Sequence, residues 1–216
     1  MSNARAAIFK RLHAVDRPET EVSLQRGHLS VFNWDKAERI KRFTERMQAV
    51  RAEVYVSDRD HYVEQVAAIC AQKGLKNLLL SPQTEWGTAI TQQAGKFPAL
   101  KHYDRPIEEW KQEMFYGVDA GLTSTIGAIA ETGTIMLWSS PDEPRMMSLV
   151  PPIHIAIVDS SQLYTTFAEA VQTQEWTTQG LPTNAILISG PSRSADIAQV
   201  LAYGVHGPKE LVVVVV

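Results

Sequence analysis

Five short apolar runs decide most of what this chain can fold into: EVYVS at 53–57, KNLLLS at 76–81, IHIAIV at 153–158, AILIS at 185–189 and LVVVVV at 211–216. Each has the length of a strand, and strands that are apolar throughout are buried on both faces. Between them lie stretches with helical spacing. One follows Asp58 and presents Val63, Val66, Ala67 and Cys70 on one side; others cover 85–94, 105–115, 161–171 and 194–203. Strands that alternate with helices imply right-handed crossovers and a parallel sheet. The expected architecture is α/β: a three-layer α/β/α sandwich with a mostly parallel sheet. The segment 121–138 is the least regular apolar stretch, with Gly121, Gly127 and Gly133 along it.

The first 50 residues read differently. Ala6, Ile8, Leu12 and Val15 form a loose helical stripe. A second helix, capped by Asn33 or Asp35, carries Ile40, Phe43, Met47 and Val50 on one side and mostly charges on the other. The expected organisation is a helical segment over 1–50 followed by an α/β domain over 51–216.

Composition excludes several functions. The chain has 216 residues and a net charge of −3, so it has no strong field to gather nucleic acid or an anionic membrane. One cysteine, Cys70, can build neither a disulfide nor a cluster site alone, and it fits a reducing compartment. His13, His28, His61 and His102 show no metal-ligand spacing. The N-terminal MSNARAAIFKRLHAV lacks the apolar core of a signal peptide, and no run reaches the length of a membrane span. These features lead us to expect a cytoplasmic protein with no metal of its own.

Three segments could carry chemistry. In SGPSRSAD (189–196) a strand ends, a Gly-Pro turn follows, and a helix is expected from Ser194. A helix start offers free N–H groups to an anion, and Arg193 adds a forked donor; Ser192 and Asp196 complete the segment. The plainer alternative makes Ser192 or Ser194 an N-cap, Asp196 a helix-dipole partner and Arg193 a solvated side chain. In IAETGTIML (129–137) Glu131 interrupts an apolar run and is followed by Thr132 and Gly133. Such an acid can serve as base, nucleophile or ligand acceptor, or simply as a turn residue facing water. In GVHGP (204–208) His206 lies between two glycines, suited to a ligand or proton transfer, or to a loop carbonyl. His154, inside a strand, reads as structural. No G-x-G-x-x-G, P-loop or H-E-x-x-H occurs. We expect Glu131, Thr132, Gly133, Ser192, Arg193, Asp196 and His206 to converge on one pocket at the carboxyl edge of the sheet, where parallel α/β sheets place ligands.

The run GVDAGLTSTIGAIAETGTIML, then PPIHIAIV, then ISGPSRSADIAQVLAYGVHGPKEL resembles the C-terminal half of the LUD domain of lactate-utilisation proteins. The resemblance covers residues 116–216 most strongly. It implies a fold similar to the sugar-phosphate isomerase and coenzyme A transferase group. It also implies a role in oxidising L-lactate to pyruvate beside two iron–sulfur partner proteins. On that reading this chain has no redox cofactor, the clusters sit on the partners, and the chain binds a small carboxylate or other anion or organises its partners. The alternative is an independent transferase- or isomerase-like enzyme with Glu131 as carboxylate nucleophile or base.

Overall fold

A computed structural model describes residues 4–14, 32, 34–180, 182, 184–194, 202–204 and 206–216. The chain divides into two compact units, 1–32 and 33–216. The first contains helix α1 (Ala4–His13), whose last turn carries Lys10, Arg11 and His13, the sign that suits a helix C-terminus.

The second unit opens with α2 (Lys36–Ala49). Asp35 caps it, its carboxylate accepting from the Glu38 amide at 2.8 Å. In chain order there follow β1 (Glu53–Val56), α3 (Tyr62–Gln72), β2 (Asn77–Leu80), α4 (Glu85–Gln92), β3 (Ala99–His102) and α5 (Ile107–Tyr116). Next come β4 (Ala120–Ser124), β5 (Gly127–Ile129), β6 (Thr134–Trp138), α6 (Met146–Leu149), β7 (Ile153–Val158) and β8 (Leu163–Tyr164). The unit ends with α7 (Phe167–Thr173), α8 (Trp176–Gln179), β9 (Ala185–Ile188), β10 (Arg193–Ser194), β11 (Ala202–Tyr203) and β12 (Glu210–Val215).

Six strands form the main sheet in the order β1-β12-β7-β4-β2-β3, every neighbouring pair parallel. The valine run therefore lies between β1 and β7. That placement removes the hazard of an all-apolar strand at an open edge. One face of the sheet packs Leu122, Ile155, Ile157, Val212 and Val214 against α3 and α4, with Cys70 buried among them. The other face packs Ala156, Val158, Leu211, Val213 and Val215 against Phe43 and Met47 of α2 and against a second, smaller sheet. Leu79 meets α5 and α6 through Trp110, Met114 and Met147. The arrangement is the expected three-layer α/β fold.

The smaller sheet, ordered β8-β5-β6-β9, is the feature the apolar pattern hid. Its inner face supplies Ala128, Ile135 and Leu137 to the core, and α7 and α8 cover its outer face through Ala170 and Trp176. Three corrections follow. AILIS forms β9, which pairs antiparallel with β6 and does not join the parallel sheet. The helix expected over 194–203 is absent at both ends, because Arg193–Ser194 and Ala202–Tyr203 pair as an antiparallel ladder; 195–201 lie outside the described residues. The helix expected over 161–171 starts later, at Phe167, because Leu163–Tyr164 pairs with β5.

Candidate functional site

Because β9 belongs to the smaller sheet, the GPSR loop does not leave the carboxyl edge of the parallel strands. It comes instead to the amino ends of β7 and β12. There a cavity of about 260 Å³ opens, lined among others by His154, Ser148, Pro191, Ser192, Arg193 and His206. His154 is the second residue of β7 and lies in register with Leu211, the second residue of β12. Its ring is buried, with Nε2 2.9 Å from the hydroxyl of Thr123 on β4. Nδ1 is enclosed and has no hydrogen-bond partner. Burial pushes the imidazole down to about 4, so the ring is neutral at neutral pH.

Ser192 joins the two loops of the outer wall. Its amide donates to the Pro208 carbonyl at 2.9 Å, its carbonyl accepts from the Gly204 amide at 2.9 Å, and its hydroxyl accepts from the His206 amide at 3.3 Å. Gly207 keeps the approach open: a Cβ there would sit 3.2 Å from the Ser192 Cβ. Gly204, with φ +75, turns the chain after β11. Arg193 and His206 are exposed at the cavity, Ser192 is half-buried, and His154 supplies the interior polar group.

Ser148 of α6 also lines a second space, large enough for about one water, beside Trp138, Ser139 and Glu143. The Glu143 carboxylate accepts from the amide of Ser124 at 2.9 Å and from its hydroxyl. Burial raises the Glu143 pKa above the ordinary carboxylate value, with those hydrogen bonds opposing. Trp138 Nε1 and Ser139 Oγ are buried without partners.

The IAETGT segment closes the β5–β6 hairpin. Gly133 has φ +61 and backs onto α2, where a Cβ would come within 2.4 Å of the Arg46 Cβ. The Glu131 amide donates to the Thr165 carbonyl at 3.0 Å. The Thr132 hydroxyl lies 2.7 Å from that of Thr134, which lies 2.7 Å from that of Ser189. The structure thus brings Ser192, Arg193 and His206 to one cavity. Glu131, Thr132 and Gly133 do not line it, though a chain of hydroxyls links Thr132 through Thr134 to Ser189, the residue before Gly190. Asp196 lies outside the described residues. Sequence reasoning read His154 as structural and did not single out Thr123 or Glu143. The usable signal was a polar residue inside an otherwise apolar strand, IHIAIV.

Among the described residues no group of three or more His, Cys, Asp or Glu is placed to hold a metal ion. Burial pushes the Cys70 thiol up to about 11. No helix among the described residues is long and apolar enough to cross a membrane.

The chain is 38% identical over 213 residues to an uncharacterised protein of Neisseria meningitidis, covering 97% of this chain and 91% of that one. It is 26% identical to lactate utilization protein C 1 of Bacillus mycoides, covering 92% and 87% respectively. With lactate utilization protein C of Shouchella clausii the identity is 36%, over 55% of this chain and about half (53%) of that protein. The crystal structure of a DUF162 family protein from Deinococcus radiodurans superimposes with a TM-score of 0.62 at 22% identity, over 84% of this chain and 98% of that one, a likeness of fold. The LUD domain model matches residues 40–216, which take in the main sheet, the smaller sheet and both loops of the cavity, and the chain belongs to the LUD domain family.

Proposed function

We propose that this chain is the non-redox subunit of a system that oxidises L-lactate to pyruvate, and that it binds a small carboxylate in the cavity at the amino ends of β7 and β12. Iron–sulfur clusters sit on two partner proteins, and electrons travel through them. Relatives named for lactate utilisation support the pathway. The single cysteine, buried on α3, supports the division of labour, since a cluster needs several thiolates.

The observation that carries the ligand reading is the cavity's chemistry. A guanidinium at its edge suits a carboxylate, and a fully buried imidazole with an unpartnered nitrogen suits a second polar group. Calorimetric titration of the purified chain with L-lactate tests it. Arg193→Ala is expected to weaken binding by about 1.5–3 kcal/mol, the range for a hydrogen bond to a charged group. Equal affinities of the two proteins would remove Arg193 from the site. For the partners, affinity capture of the tagged chain from lactate-grown cells is expected to bring down cysteine-rich, iron-containing proteins. Capture of the chain with no iron-containing protein would overturn the complex.

A further inference from the structure

We infer that His154 distinguishes a 2-hydroxy or 2-oxo acid from a plain carboxylate, and that its pairing with Thr123 lets one site hold both oxidation states. This rests on the carboxylate reading of the cavity and adds to it the group that reads the neighbouring carbon.

Unsatisfied polar atoms are concentrated here. Among the described residues five buried side-chain polar atoms lack a partner, and three of them belong to residues lining this cavity or the smaller one that shares Ser148: His154, Trp138 and Ser139. A buried unpaired donor or acceptor is unfavourable, and folded proteins keep few without a ligand or water to satisfy them. His154 is the one of the three that lines the larger cavity, the one with room for a small metabolite. Arg193 can hold a carboxylate by two parallel hydrogen bonds. An oxygen on the adjacent carbon then remains to be recognised, and Nδ1 of His154, enclosed and without a partner, meets it when the ligand displaces the side chains that cover the ring.

The Thr123–His154 pair fits both possible oxygens. A threonine hydroxyl can donate or accept, and a neutral imidazole carries its proton on either nitrogen. When Thr123 donates to Nε2, Nδ1 bears the proton and donates to a ketone oxygen. When Nε2 donates to Thr123, Nδ1 accepts from an alcohol. The exchange rotates one hydroxyl and moves one ring proton, with the 2.9 Å contact unchanged. Burial holds the ring neutral, which keeps both tautomers in play. The pair therefore accommodates the reduced and the oxidised acid without rebuilding the wall.

The test is a titration of the full chain with L-lactate, pyruvate and propionate at pH 7, with and without His154→Leu. Lactate and pyruvate are expected to bind about tenfold or more tightly than propionate, which lacks the oxygen. His154→Leu is expected to abolish that preference while propionate affinity holds. Nitrogen-15 resonances of the His154 ring in the unsubstituted chain give a second measure that does not depend on how the variant folds. Pyruvate is expected to leave the proton on Nδ1, and lactate to shift the ring nitrogens where propionate does not. Equal affinities for all three acids with unmoved resonances would overturn the role of His154 and leave the carboxylate site standing. Binding of none of the three would overturn both.

Discussion

The hydroxyls of Thr134 and Ser189 lie 2.7 Å apart, where β6 runs antiparallel to β9. This contact joins the two segments that looked most like chemistry in the sequence. Thr134 closes the IAETGT turn, and Ser189 begins the GPSR loop. The turn itself is fixed against α2 by Gly133, so the contact carries the position of α2 to the cavity wall. Replacing Thr134 by Val and Ser189 by Ala, singly and together, is expected to give a coupling of about 1 kcal/mol in urea unfolding. Strict additivity of the two substitutions would show that the contact does not hold the loop.

Much of the parallel sheet was legible because its strands are buried on both faces and read as unbroken apolar runs. EVYVS, KNLLLS, IHIAIV and the valine run all lie in it. AILIS carries the same apolar signature for another reason. It is an edge strand of the smaller sheet, with Ile186 and Ile188 turned to the core and Leu187 about half exposed. Periodicity over four residues cannot separate those cases. The β4–β6 segment looked irregular because three short strands follow one another, and the sheet they build depends on partners far along the chain, such as β9. The GPSR loop was misplaced for the same reason: the rule that ligands sit at carboxyl ends applies to parallel strands, and the strand before GPSR is antiparallel. His154 was read as structural because a lone strand histidine carries no spacing signal; only its missing partner marks it.

Gly121 shows how closely α6 approaches the sheet. A Cβ at this position would lie 2.1 Å from the Met147 carbonyl oxygen and 3.1 Å from the Pro151 ring. Both neighbours are constrained, so the helix must move. Gly121→Ala is expected to destabilise by about 3 kcal/mol, as overpacking of a close backbone contact does, and to weaken ligand binding because α6 carries Ser148. Gly95→Ala is the control, since nothing lies within 4 Å of its Cβ. Equal chemical-denaturation midpoints for Gly121→Ala and the parent chain would refute the close approach.

Val214 is fully buried and sits between Tyr55 of β1 and Ile157 of β7. Its side chain belongs to the apolar cluster with Val66 and Ile69 of α3. Val214→Asp is expected to cost several kcal/mol, about 3–5, the range for an unpaired buried charge, and to leave little folded protein. Val56→Asp, on the outer strand β1 at 57% exposure, is expected to change stability by less than about 0.5 kcal/mol. Circular dichroism of the two variants separates a central strand from a dispensable tail.

The buried imidazole also sets a pH dependence of stability. His154 has an ordinary value of 6.5 and is lowered to about 4 in the folded chain by burial. Between those values the unfolded chain binds a proton that the folded chain does not. Stability is therefore complete above about pH 6.5 and falls as pH drops toward 4, by an amount on the order of 3 kcal/mol. The paired carboxylates of Asp58, Glu64, Glu113 and Asp159 are held low, so their contributions are lost mainly beneath this window. Glu143 is raised by burial and acts in the opposite sense, favouring the folded chain as pH falls toward its ordinary value. His61, raised by Asp58, likewise favours folding as it protonates, but it is fully exposed and its effect is screened. Urea midpoints measured at pH 7 and pH 5 are expected to fall for the parent chain. They are expected to fall distinctly less for His154→Gln, which cannot titrate. A parent chain as stable at pH 5 as at pH 7, with His154→Gln indistinguishable from it, would mean that the ring is protonated or solvated in the folded chain and could not serve as the neutral partner of a ligand oxygen.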